Sequence, residues 1–406
     1  MTSDTLTIVL AGKVGEGLHP LSDKRAKSAI PFGGKYRLID FSLTNCLHSG
    51  LRRILVMTQY KSHSLHKHLR DGWSVFNPEL GEYITAVPPQ ISADEEWTAG
   101  TAHAIYQNLH LLERSKAKWV LLLQGDHIYR MDYEPLIRAH ADSGSEVTIV
   151  TREVKKGSTG SYRIVKFDKD LRITDSIDPS KSTNDDETQH EPVQSSIGVY
   201  IFSIDALMKS ITAALSNSSN PSIDFEKEII DGMVSKGSAS AYLFGSEAGR
   251  VTQDKYWRDI STIDEYYLAN MELLKPTPSI DLYQKDWPIR TYSGQYPPAR
   301  NSPGQLGHEG ISVNSIASTG SVICGGKVQG SILFNGAFIG EESFIENSII
   351  FEGVTVGEGA MLRNCIIDKG VVIPDGEVIG HDEKADKNRF MITTGGVVVI
   401  PKNFCF

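Results

Sequence analysis

Residues 6–50 read LTIVLAGKVGEGLHPLSDKRAKSAIPFGGKYRLIDFSLTNCLHSG, and the fold is decided there. The apolar stretch Leu6–Leu10 is a short strand that feeds a glycine loop at Gly12, Gly15 and Gly17. A basic stretch and a second Gly-Gly follow. A strand entering a glycine loop is a generic anion cradle, because backbone amides reach a phosphate where Cβ atoms would obstruct. The loop by itself is weak evidence for a nucleotide.

Outward from this run, strand-like and helical segments alternate up to about residue 275, which predicts a mostly parallel sheet covered by helices in a Rossmann-like α/β domain, 1–275. The strands are Leu6–Leu10, Ile54–Thr58, Trp119–Leu123 and Val147–Val150, with helices over Ser42–Ser49 and Thr101–Glu113. Residues 276–306 are rich in Pro, Gly and Ser and read as a linker. From residue 307 to 406 helical patterning stops. Residues 354–382, VTVGEGAMLRNCIIDKGVVIPDGEVIGHD, repeat every five or six positions with an apolar residue turned inward and a turn at Gly or Asn. That texture predicts a left-handed parallel β-helix rather than a sandwich of short hairpin strands, and GGVVVIPK supplies a closing strand.

At 406 residues, two domains are expected. Hydrophobic content of 40% with 22% charged residues is the balance of a soluble globular protein. A net charge of -9 argues against nucleic acid or an anionic membrane as partner, and leaves small anions to local basic clusters. Cys46, Cys324, Cys365 and Cys405 lie far apart with no C-x-x-C, the pattern of reduced cytoplasmic thiols. The opening MTSDTLTIVL has no basic n-region or long apolar core, so neither a signal peptide nor a membrane span is expected.

The string RAKSAIPFGGKYRLIDFSLTN, residues 25–45, resembles the R-A-K-P-A-V-x-F-G-G-K-x-R-I-I-D-F signature of ADP-glucose pyrophosphorylase, the glucose-1-phosphate adenylyltransferase of glycogen and starch synthesis. The resemblance covers nearly the whole chain. It implies that Lys27 contacts a substrate phosphate and that Arg25 helps bind anionic effectors; for Lys24, Arg25 and Lys35 the plainer reading is solubility. LLLQGDHIY is similar to the family's L-A-G-D-H-I-Y and puts Asp126 at a strand's carboxyl edge, where open α/β sheets bind ligands. YWRDISTIDEYY is similar to Y-W-R-D-V-G-T and supplies Asp259. By resemblance the two aspartates hold Mg²⁺ between the nucleotide and sugar phosphates, and oxygen ligands suit that hard cation. Gln90, seven residues before Trp97, stands where the family has a Gln near the adenine. Gly100 and Thr101 persist from the family's W-Y-x-G-T-A-D-A-V, while Thr98 replaces its Tyr and His103 its Asp. Ser196 in SSIGVYIF and Asp178, in place of the Glu of V-E-K-P, are the sugar-hydroxyl contacts the resemblance implies. Family members are tetramers whose β-helix contributes to subunit contacts and allosteric regulation.

The departures cluster in the active site. Against the family loop L-A-G-G-x-G-x-R-L, Lys13 replaces a Gly and Gly17 replaces the Arg. Pro179 stands where V-E-K-P has Lys, and F-G-V reads Tyr162-Arg163-Ile164. Losing one preorganised group at a phosphoryl-transfer site costs ~10²–10⁵-fold in rate. The sequence therefore predicts a catalytically impaired paralogue, acting in the cytoplasm as a regulatory subunit of a homo- or hetero-tetramer. The alternative is a working adenylyltransferase in which Lys13, Arg163 and Lys181 compensate. ATP, glucose 1-phosphate and anionic effectors are the expected ligands in either case. The cationic segment KSHSLHKHLRDGW, residues 61–73, is helical with Leu65 and Leu69 inward, and either faces an effector or forms a solvated surface.

Overall fold

The computed structural model describes residues 1–89, 100–155, 162–179, 192–216, 223–246 and 248–406. Thr5–Ala11 is a central strand, buried along its whole length. Leu6, Ile8 and Leu10 enter one apolar cluster and Val9 and Ala11 another, because successive side chains of a strand point to opposite faces. Trp119–Gln124 flanks it in parallel on one side; Arg53–Thr58 and then Tyr83–Val87 lie parallel on the other. The chain thus winds outward from Thr5–Ala11 in one direction and returns to its opposite side. Such a switch of direction opens a crevice at the carboxyl ends of the strands. Pro192–Ser203 extends the sheet antiparallel to Trp119–Gln124 and pairs with Val147–Lys155, itself parallel to Ala239–Leu243.

Two helices differ from the sequence pattern for local reasons. The Ser42–Ser49 helix begins earlier and spans Leu38–His48, because the Asp40 carboxylate accepts from the Arg37 amide (2.8 Å) and satisfies the helix start. The stretch expected as one helix over Thr101–Glu113 is two, Gly100–Tyr106 and Leu109–Ser115. Asn108 Nδ2 donates to the Ala104 carbonyl (2.9 Å) at the break, a side-chain bond that competes with the helical ladder. The cationic segment forms a helix over His63–Trp73, with Leu65 and Leu69 buried as expected. No helix among the described residues is long and apolar enough to cross a membrane.

Three mainly parallel sheets build the C-terminal region, most strands pairing with their counterpart one coil later, while Met391–Ile392 pairs antiparallel with the closing strand. One ladder runs Val328, Ile345, Leu362, Ile379; another runs Ile323, Ile339, Val356, Ile373. All eight side chains are buried, so the inward apolar residue of each short strand forms a continuous core. The closing strand Val398–Ile400 pairs in parallel with Cys365–Ile367. Arg300–Ser302 is the first strand of these sheets. The stretch ahead of it packs back onto the α/β part: Trp287 Nε1 donates to Asn45 Oδ1 (2.9 Å) and Thr291 Oγ1 to Asp40 Oδ2 (2.7 Å). Ile332, Phe334, Ile349 and Phe351 from the coils share a core with Leu18, Phe32 and Tyr266, so the two parts are joined by apolar burial.

Candidate active site

Asp126 and Asp259 are far apart in sequence and meet at the crevice. Asp126 lies just past the carboxyl end of Trp119–Gln124. Asp259 ends a short strand, Trp257–Asp259, paired antiparallel with His127–Tyr129, so that it sits opposite His127. Lys27 rises between them, its Nζ 2.6 Å from Asp126 Oδ2 and 2.9 Å from Asp259 Oδ1. Its side chain is only 6% exposed. Burial disfavours the Lys27 ammonium, but the two carboxylates more than offset this and hold its pKa above the ordinary lysine value. For Asp126, burial likewise opposes the charge, and the ammonium groups of Lys13 and Lys27 prevail, keeping it well below the usual carboxylate range. Asp259 is lowered too, against its burial, by His127 and Lys27.

A divalent cation fits these residues. Asp126, His127 and Asp259 present ligand atoms all within 4.8 Å of one another. Asp126 Oδ1 is buried and accepts no hydrogen bond from the described residues. A buried carboxylate oxygen without a partner is costly, and a hard cation is a natural partner for it. His127 and Tyr162 complete the surroundings. Burial lowers the His127 pKa to about 4, so its ring is neutral near pH 7. The Tyr162 hydroxyl lies 2.6 Å from His127 Nε2 and 3.1 Å from Asp259 Oδ2. The sequence assigned neither residue a role, and Tyr162 stood out only as a departure from the family string. The available signal was a hydroxyl-bearing Tyr where the family's F-G-V has Phe.

The glycine loop explains its own departures. Gly15 has φ 74°, a left-handed conformation, and the Lys27 stem packs beneath it, 3.1 Å from where a Cβ would lie. A Cβ at Gly12 would meet Gln59 at 3.0 Å. At Gly17 the obstruction is of another order: a Cβ there would lie 2.2 Å from the Ser261 carbonyl oxygen. The loop that carries Asp259 therefore rests directly on Gly17, and no side chain fits at that position in this backbone. Lys13, 51% exposed, reaches to 3.9 Å of Asp126 Oδ2.

Gly12, Lys13, Gly100 and Thr101 line one cleft of about 220 Å³ whose apolar walls include Leu10, Met57 and Val87. Apolar walls with a few polar groups are the usual build of a small-molecule site. Gln90, Thr98 and Lys181 fall outside the described residues. His103 is buried on the Gly100–Tyr106 helix. On the sugar side, Ser196 Oγ lies 3.0 Å from the Tyr200 hydroxyl, which donates to Glu226. Arg163 is buried and enclosed by its own ion pairs, with Asp231 and, at 3.6 Å, with Asp178. Asp178 and Arg163 are thus engaged with each other, and Pro179 directly follows Asp178.

Arg25 stands apart from this site. Its Nη2 donates to both oxygens of Asp368 on the β-helix (2.8 and 2.9 Å), with both side chains buried, while its Nη1 is buried and without a partner among the described residues. It lines a second cavity between the two parts of the molecule, together with Lys24, Lys35 and Lys67.

The nucleotidyl transferase family model matches residues 6–276, and the model of the GlmU-like C-terminal hexapeptide matches residues 297–400. The hexapeptide match and the three mainly parallel sheets make the C-terminal region a left-handed β-helix. The chain is 50% identical over 405 residues to glucose-1-phosphate adenylyltransferase 2 of Vibrio cholerae, covering 99% of each chain. It is 50% identical over 405 residues to the protein of that name from Vibrio vulnificus strain YJ016, covering 99% of this chain and all of that one. With glucose-1-phosphate adenylyltransferase of Koribacter versatilis it shares 39% identity over 406 residues, 99% of this chain and 96% of the other.

Proposed function

The chain belongs to the glucose-1-phosphate adenylyltransferase family, and from that premise we propose that it binds ATP, glucose 1-phosphate and Mg²⁺ but transfers the adenylyl group slowly. Its main part is then that of a regulatory subunit in a homo- or hetero-tetramer. In the reaction, a phosphate oxygen of glucose 1-phosphate forms a bond to the α-phosphorus of ATP while the bond to the β-phosphate oxygen breaks, giving ADP-glucose and pyrophosphate. Gly12 and Gly15 let backbone amides approach the nucleotide phosphates. Gly100 and Thr101 border the base and ribose, with Gln90 assigned to the adenine by resemblance. Asp126 and Asp259 hold Mg²⁺, which offsets phosphate charge when bound. Lys27 exchanges its two carboxylate partners for a substrate phosphate. Ser196 and Asp178 meet sugar hydroxyls, Asp178 only after loosening its pair with Arg163.

The observation that carries impairment is the closed position at Gly17. A phosphate-binding side chain is absent there, and the Ser261 carbonyl occupies its entry. Losing one such group costs ~10²–10⁵-fold in rate. Arg25 and the lysines around its cavity fit an anionic effector, which is the regulatory half of the reading. One observation favours full activity instead: Lys13 brings an ammonium to 3.9 Å of Asp126, close to where the missing group is needed. Measuring ADP-glucose formation with native protein and with Lys13→Gly separates these. If Lys13 compensates, its removal abolishes a robust activity. On the impaired reading the activity is low in both.

A further inference from the structure

The second cavity, about 270 Å³, is strongly cationic, and it contains two carboxylates of its own. Lys24, Lys35, Arg37 and Lys67 face Lys369 and Lys402 of the β-helix, with only Asp71 and Glu352 as acidic counterparts among the lining residues. The coil repeat explains the arrangement. Ile350 pairs with Ile367, and Ile367 with Ile400, so the residues two places on, Glu352, Lys369 and Lys402, stack in one column facing the α/β part. Glu352 Oε2 lies 2.5 Å from Lys369 Nζ, and Glu352 Oε1 accepts from the Tyr296 hydroxyl at 2.6 Å. Arg25 Nη1, buried and unpartnered on the cavity wall, has donor capacity that Glu352 leaves unused. Crowding of like charges around one bound carboxylate is the electrostatic arrangement expected around a bound anion.

We propose that Glu352 is a built-in competitor for this cavity: its carboxylate stands where a phosphate-like anion binds, and the anion enters by taking Lys369 from it. The inference rests on the effector-site reading above and adds how that site is controlled. A ligand shifts a two-state contact only by its differential affinity for the two states, so the pair weakens every anion that must take Lys369 and favours those that hold that ammonium more strongly than Glu352 does. Couplings of this kind are worth about 5–150-fold in affinity.

The test is the dissociation constant for inorganic phosphate, by titration calorimetry on the full chain. Glu352→Gln tightens binding about tenfold, and Tyr296→Phe, which frees one end of Glu352, tightens it by a smaller factor. Adding Lys369→Met to Glu352→Gln erases the gain, because the competition is for that ammonium. Lys24→Ala weakens binding in every background. If Glu352→Gln and Tyr296→Phe match the native protein while Lys24→Ala still weakens binding, the cavity takes anions without competition and the proposal falls alone. If Lys24→Ala changes nothing in any background, phosphate binds elsewhere, and the effector reading falls with it.

Discussion

Alanine at position 17 probes the contact between the glycine loop and the Asp259 loop. Its Cβ would lie 2.2 Å from the Ser261 carbonyl oxygen, and reaching 3.0 Å requires a shift of about 0.8 Å. The Ser261 segment is held: its amide donates to Glu265 Oε2 (2.8 Å) and its Oγ to Asp259 Oδ2 (2.9 Å). The displacement therefore passes to Asp259 and to its 2.9 Å contact with Lys27. Forcing extra volume against fixed backbone costs about 1–3 kcal/mol. At about 2–4 °C per kcal/mol for a domain of 150–250 residues, Gly17→Ala lowers the melting temperature by roughly 2–12 °C. The same clash bears on restoring arginine. Gly17→Arg alone is expected to destabilise without regaining activity, whereas Gly17→Arg with Ser261→Gly gives the loop freedom to withdraw. Thermal denaturation and ADP-glucose formation by the three variants make the assay. If Gly17→Ala is as stable as the native chain, or Gly17→Arg alone restores turnover, the closed position at Gly17 is refuted.

The buried Arg25–Asp368 pair ties the two parts of the molecule, and Asp368→Asn leaves the guanidinium uncompensated. A loss of about 3–5 kcal/mol is expected in urea denaturation. Lys27→Gln removes the cation between the buried Asp126 carboxylate and the partly buried Asp259 carboxylate. It is expected to cut any adenylyl transfer by ~10²–10³-fold while raising the affinity for Mn²⁺ measured by electron paramagnetic resonance. Burial lowers the pKa values of His127 and His140 from 6.5 to about 4. Between those values the unfolded chain binds more protons than the folded one. Stability should therefore fall as pH drops from about 6.5 to about 4, by an amount on the order of a few kcal/mol, and be flat above pH 7. Urea midpoints at pH 7, 5.5 and 4.5 check this.

Much of the fold was legible because it rests on local periodicity. Leu6–Leu10 reads as a strand from apolar residues alone, and the coils from residue 354 to 382 repeat at the spacing that the parallel register then uses. Asp126 and Asp259 were legible as a pair only through the strings around them, since nothing in their spacing predicts that they meet. What stayed hidden is what depends on contacts across the chain. Gly17 reads as a missing side chain, and only the packed structure puts the Ser261 carbonyl in its place. Arg163 looks like a spare cation in sequence, but Asp231 and Asp178 enclose it. The helix break at Asn108 turns on one side-chain bond to Ala104, which periodicity does not register.

The central claim, a site assembled for its substrates but slow in chemistry, is tested most directly by single-turnover formation of ADP-glucose. The mixture holds native protein in excess over ATP, with saturating glucose 1-phosphate and Mg²⁺, and ATP binding is measured in parallel. The account predicts measurable ATP binding and a transfer rate far below the ordinary enzymatic range of about 1–10³ s⁻¹. Transfer within that range would contradict it and would show that Lys13 and its neighbours supply what Gly17 lacks.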